Sequence, residues 1–347
     1  MEADMPEDLY QGLKKLRACS RLANLTGFTA IDLPVWAVIR PNGKSGSSTV
    51  GKGLTDEQSK YSALFECYEL TCAERVEPTC RCEPSTIDNC FHFHPPQIYS
   101  DAIEYCEGVK SSTGESIKIP FSCLTMDTTR KYEAYRCSTI GTGAGWDQEQ
   151  ALDSALREFI ERYSILMNKE NKKWMSLKTT PKSEELLLDN DLEYVIDKCR
   201  NKNFHILVRD ISTVKNWPCF AVHLVAKTEH GLMVGSGYGC QHESSKAMTQ
   251  AILEANQGIC VAASGIRDDM YKSTYLVSRS QQSQWISELD NKKHISLAEI
   301  LSSTNHNIKK SQITDANIKK NLIVFSYPKL SNTDGLACVK LLMPINK

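Results

Sequence analysis

The chain has 347 residues, of which 41% are apolar and 24% charged, with a net charge of −1. That balance fits an ordinary globular protein and gives no electrostatic footprint for nucleic acid. No run approaches the ~20 apolar residues of a membrane span, and the acidic opening M-E-A-D-M-P-E-D lacks the apolar stretch of a secretory signal. The 14 cysteines are scattered without a regular framework, which points to the cytoplasm and to reduced thiols.

In chain order, Leu9, Leu13, Leu16 and Leu22 predict an amphipathic helix over 8–24. P-V-W-A-V-I-R at 34–40 reads as a buried strand closed by the P-N-G turn, and a second strand runs into Gly51. A helix carrying Ser62, Glu66 and Glu69 follows, and the proline-rich stretch 77–97 reads as irregular. Strand-like segments near 117–121 and 132–138 lead to a helix over 147–168, capped by Asp147. Its apolar stripe is Ala151, Leu152, Ala155, Leu156, Phe159, Ile160 and Tyr163. A polar helix at 182–200 precedes strands at 204–210, 219–226 and 231–235, and then a third helix. The polar stretch 274–320 predicts short helices and loops, and strands at 322–327 and 338–344 close the chain. Elements mix without strict βα alternation, which predicts an α+β fold of mixed or antiparallel sheets packed with helices. The length suits a single unit over 1–347, with a core at roughly 15–272 and a C-terminal extension at 273–347.

One pattern appears three times. S-A-L-F-E-C-Y-E at 62–69, S-A-L-R-E-F-I-E at 154–161 and Q-A-I-L-E-A-N-Q at 250–257 each follow a glycine-rich turn: G-K-G, G-T-G-A-G and G-S-G-Y-G. Each copy sets two acidic or amide side chains one helical turn apart on one face. If the helices converge, Glu66, Glu69, Glu158, Glu161 and Glu254 meet in one cleft, with Gln257 beside them. Bare carboxylates there repel, and Mg²⁺ relieves that repulsion as a hard ion taking oxygen ligands. Arg162 can fork onto phosphate oxygens, and Lys52 sits between glycines that let a ligand approach closely. G-K-G is not a P-loop, G-T-G-A-G is not a full dinucleotide fingerprint, and no Ser-His-Asp triad is evident.

T-G-F-T-A-I-D-L-P-V-W-A-V-I-R-P-N-G-K-S, V-G-K-G-L-T and S-A-L-F-E-C-Y-E resemble the opening of the YcaO family. A-L-D-S-A-L-R-E-F-I-E-R-Y resembles its second acidic helix, and A-I-L-E-A-N-Q with S-G-I-R-D-D-M its third region; the resemblance spans roughly 15–272. It implies an enzyme that uses ATP and Mg²⁺ to phosphorylate the backbone amide oxygen of a peptide or protein. Attack by a Cys, Ser or Thr side chain then gives an azoline, sulfide a thioamide, and an amine an amidine. By the same resemblance Lys52, Ser62, Glu69, Gln150, Arg162, Glu254, Gln257 and Arg267 bind ATP, and Glu66, Glu69, Glu158 and Glu161 hold the metal. No catalytic nucleophile is assigned. Leu70 stands where many members have Arg, Trp146 where Asn is common, and Gln250 where Arg is frequent; Gln150 or Glu149 fills a position that is usually Glu. These departures motivate an alternative, a nucleotide-binding partner or scaffold with little turnover. The ending M-P-I-N-K lacks the proline-rich tail of many azoline-forming members. No leader-binding domain is evident in the first 30 residues, which implies a partner protein delivering peptide or sulfur; a homodimer is also possible. Cys72, Cys80, Cys82, Cys90, His92 and His94 crowd one segment, but C-x-C is not the usual zinc spacing, so they read as thiols and loop histidines.

Overall fold

The computed structural model describes residues 5–82, 103–130, 137–170, 173–178, 189–229, 231–268, 293–310, 313–333 and 335–343. The expected strand at 132–138 falls largely outside these, as do Cys90, His92, His94 and much of 274–320.

Helix α1 (Met5–Lys15) is shorter than its leucines suggested. Arg17 takes a left-handed conformation (φ 55°) that ends it, and Leu22 falls in strand β1 (Arg21–Asn24). With β2 (Val35–Ile39) and β3 (Ser48–Lys52), β1 forms an antiparallel sheet in the order β1-β2-β3. Helix α2 (Asp56–Arg75) follows, capped by the Thr55 side chain accepting from Gln58 N. β4 (Cys80–Cys82), β5 (Ile103–Lys110), β6 (Ser116–Pro120) and β7 (Thr142–Gly145) belong to a six-stranded sheet, and α3 (Gln148–Met167) is capped by Asp147 as its sequence predicts. β8 (Met175–Leu177), α4 (Asn190–Asn201), β9 (His205–Asp210), β10 (Cys219–Thr228) and β11 (Gly231–Cys240) lead into α5 (Ser244–Ser264). After β12 (His294–Ile295), α6 (Leu297–Lys310) and α7 (Asp315–Lys320), strands β13 (Ile323–Ser326) and β14 (Ala337–Leu342) insert between β5 and β7. The third sheet runs β11-β10-β9-β8-β12, antiparallel except for the β8–β12 pair.

The three glycine clusters lie mainly in strands, where turns were expected: Gly51 is in β3, Gly143 in β7 and Gly237 in β11. Their role is close approach. A Cβ on Gly51 would lie 2.1 Å from Ala63 N, one on Gly143 2.2 Å from Ala155 N, and one on Gly237 2.3 Å from Ala255 N. The helix backbone therefore rests directly on the strand. The third repeat keeps the register of the first two. A Cβ on Gly239 would lie 2.1 Å from Ala247 O and 2.7 Å from Ala251 N, as one on Gly51 would lie 2.2 Å from Ser59 O and 2.1 Å from Ala63 N. Gly239 precedes the start of α5 at Ser244 by as many residues as Gly51 precedes the start of α2 at Asp56, so Gln250 is the counterpart of Ser62 and Glu254 that of Glu66.

The helices close a ring. α2 packs on β3 and reaches β7, α3 packs on β7 and reaches β11, and α5 packs on β11 and reaches β3. The expected stripe of α3 is buried at Ala151, Ala155, Leu156 and Ile160, with Leu152, Phe159 and Tyr163 partly covered.

A buried ion pair anchors the turn before β3. Arg40 Nη2 lies 2.7 Å from Glu74 Oε2, both residues nearly inaccessible, and Glu74 Oε1 accepts from Lys44 N, Ser45 N and Ser45 Oγ. Arg40→Met should cost about 3–5 kcal/mol in urea unfolding, because it strands a buried carboxylate without its counter-charge. A cost below about 1 kcal/mol would show that the turn holds without the pair.

Candidate functional site

Each sheet presents one terminal strand to the centre of the ring, and a glutamate meets each strand's outward amide. Val50 N donates to Glu66 Oε2 at 3.0 Å on β3, Ala144 N to Glu69 Oε1 at 2.9 Å on β7, and Tyr238 N to Glu254 Oε1 at 3.3 Å on β11. Gln257 Nε2 donates to Val50 O. The strand-edge groups that would otherwise be unpaired are satisfied by side chains of the converging helices.

Two cations join the acids. Lys52 Nζ lies 2.5 Å from Glu254 Oε2, bridging β3 and α5. Arg162 sits 3.9 Å from Glu158 Oε1 and 3.8 Å from Glu161 Oε1, contacts too long for tight pairs. Burial pushes Glu158 and Glu161 up to about 7, with Arg162 only partly offsetting it. Burial also raises Glu66, and it holds Glu69 well above the carboxylate range with help from Glu158 and Glu66. Burial draws Lys52 down, but Glu254, then Glu161 and Glu66, outweigh it and leave it raised. The site is a set of carboxylates short of positive charge.

Eight of the residues singled out in the sequence meet here: Lys52, Glu66, Glu69, Glu158, Glu161, Arg162, Glu254 and Gln257. Ser62 is half-buried on α2 one turn before Glu66. Arg267 is exposed just beyond α5, where its charge opposes the upward shift of Glu66. Gln150 completes a helix cap: its amide oxygen accepts from Trp146 N at 3.2 Å, as that of Gln58 accepts from Leu54 N at 2.9 Å. Trp146 packs edge-on against Phe65 and Tyr61, with ring centroids 5.2 and 6.1 Å apart, so an aromatic cluster fills that corner.

Lys340 was missed. It is only 2% exposed on β14, donates to Ser138 O and Thr142 Oγ1, and its charge opposes the rise of Glu158. Its signal was a lone cation inside the apolar run C-V-K-L-L-M.

Among the described residues no three His, Cys, Asp or Glu side chains are placed to hold one ion by themselves. Mg²⁺ is commonly held by one or two carboxylates together with substrate phosphates and water. The hard oxygen donors of this cluster, short of positive charge, fit such a group.

The raised carboxylates set the sign of a pH effect. Unfolded, Glu161 ionises near 4.5; folded, it holds its proton to about 7. Its stabilising contribution is complete below the first value and lost as pH rises through the second. Glu161→Gln should therefore gain melting temperature relative to the native protein between pH 5 and pH 8. A gap that is constant with pH would refute the shift.

A family model described as YcaO cyclodehydratase, ATP- and Mg²⁺-binding, matches residues 50–322. The structure resembles YcaO from Methanopyrus kandleri bound with AMPPCP and Mg²⁺ at TM-score 0.69 and 18% identity, covering 98% of this chain and 90% of that one. It also resembles a heterocyclase in complex with substrate and cofactor (TM-score 0.66, 16% identity, 97% and 52% covered) and the E. coli microcin synthetase McbBCD complex (0.58, 13%, 90% and 84%). Among curated relatives, an uncharacterised protein in the tfuA 3′ region of Rhizobium leguminosarum bv. trifolii is 25% identical over 295 residues, 78% of this chain and 69% of that protein. An uncharacterised Mycobacterium tuberculosis protein is 22% identical over 287 residues, 78% and 64%. With mixed sheets ringed by three glycine-packed acidic helices, and a family model that covers most of its length, the chain belongs to the YcaO family.

Proposed function

We propose that the protein uses ATP and Mg²⁺ to O-phosphorylate backbone amides of a peptide or protein. The observation that carries this is the convergence of five glutamates from three helices on one charge-poor centre with Lys52 and Arg162. Glu66, Glu69, Glu158 and Glu161 would supply the carboxylate ligands for Mg²⁺, one or two to an ion alongside nucleotide phosphates, and the metal supplies charge neutralisation for phosphoryl transfer when bound. Lys52, Arg162 and Arg267 would meet phosphate oxygens, and Ser62, Glu69, Glu254 and Gln257 would orient the nucleotide. Gln150 would support the site through its cap. Phosphoryl transfer needs positioning and countercharge more than a covalent nucleophile, consistent with a site without a triad.

The chemistry balances without a redox partner. A nucleophile adds to the amide carbon, and the former carbonyl oxygen takes the γ-phosphoryl group as ADP departs. Phosphate then leaves with that oxygen. The product is an azoline or a thioamide, according to the nucleophile supplied, and a partner protein is proposed to deliver the peptide or the sulfur. A peptide labelled with ¹⁸O at the modified amide should pass the label into released phosphate. Label retained in the peptide during turnover would refute amide activation.

A further inference from the structure

On α2, Glu66 takes the Val50 amide while Gln257 covers the Val50 carbonyl, so the β3 edge is closed at the site. On α5, Glu254 takes the Tyr238 amide in the same way. The next outward residue along β11, Ser236, is exposed and lies beside Gly258: a Cβ there would be 3.5 Å from Ser236 O and 3.9 Å from Ser236 N. Glycine at 258 offers no side chain to take the Ser236 amide.

β11 is the terminal strand of its sheet, paired along its whole length with β10. Backbone groups of a strand point alternately to its two edges. Gln241 N turns inward to Pro218 O, and Tyr238 N turns outward to Glu254. The amides and carbonyls of Leu232, Val234 and Ser236 therefore point outward as well, and among the described residues they meet no backbone or side-chain partner. An open row of main-chain donors and acceptors complements an extended main chain. The row leads into the glutamate cluster, since Ser236 and Tyr238 are about 7 Å apart along the strand.

We propose that an extended peptide docks by adding a strand to the outer edge of β11 at Leu232–Ser236, which leads its next amide past Glu254 into the glutamate cluster. This rests on the reading of the site as one that acts on peptides, and it names how the peptide is held. Because the contacts are to main chain, binding would depend weakly on peptide sequence.

The test uses the full chain with Mg²⁺ and a non-hydrolysable ATP analogue. The probe is an end-capped, fluorescently labelled peptide of about 16 residues built from Gly, Ser and one central Cys. A second copy is N-methylated at alternate residues. Val234→Pro removes one outward amide that the β10 ladder does not use, a change edge strands tolerate. It should weaken peptide binding about tenfold or more, with nucleotide affinity and melting temperature near those of the native chain. The N-methylated peptide should bind the native chain equally poorly. If Val234→Pro fails to fold, Gly258→Gln serves instead, because position 258 lies beside Ser236 and a glutamine amide oxygen there can take the Ser236 amide. Undiminished binding by a folded variant, equal binding of both peptides, or no peptide binding by the native chain would overturn this inference alone. Failure of the native chain to bind nucleotide would instead overturn the functional reading beneath it.

Discussion

Glu161→Gln should lower ATP turnover by about 10²–10³-fold or more and leave the protein at least as stable as the native chain at pH 8. The two halves of this expectation share one cause. Glu161 is 4% exposed and lies near Glu254, so without a cation beside it its charge is costly, and burial lifts it to about 7. Glutamine keeps the shape and removes that cost. Under the proposed function the same charge would neutralise a bound cation, so turnover should fall with it. Steady-state phosphate release and thermal melting in one buffer check both halves. A variant that melts well below the native chain yet keeps its ATPase activity would make the acidic helix structural.

Gly237→Ala should abolish the native fold or destabilise it by at least about 3 kcal/mol in urea unfolding. The added methyl would lie 2.2 Å from Ala251 O and 2.3 Å from Ala255 N, both backbone atoms of α5. Neither can swing aside as a side chain would, so the helix must lift from the strand. Lifting α5 would also pull Glu254 from Tyr238 and Lys52, so nucleotide binding should fail along with stability. Gly27, which has no neighbour within 4 Å of an added Cβ, supplies the control: Gly27→Ala should unfold like the native chain.

The helices were legible because their signals are local. Asp147 caps α3 through Gln150 N, and the stripe from Ala151 to Ile160 is the one that is buried. The carboxylates were legible because acids on one helical face serve little purpose singly but meet when repeated. The role of the glycines was not legible. A run such as G-S-G-Y-G reads as a turn from local preference, and only the helix lying across it shows that the missing side chains serve contact. The register of the repeats was legible for the same reason as the helices: Gln250 stands as deep in α5 as Ser62 in α2, and Glu254 takes the Tyr238 amide as Glu66 takes that of Val50. Gln150 carries the same amide whether it caps a helix or meets a ligand, and only the Trp146 amide beside it reveals the cap.

Calorimetric titration of ATP with Mg²⁺ and with excess EDTA tests whether the converging glutamates hold a Mg²⁺-nucleotide. One site per chain is expected, weakened by EDTA by about tenfold or more and lost when Glu158 and Glu161 are both replaced by Gln. Binding of equal strength in EDTA, or binding that survives that double replacement in a folded protein, would contradict it.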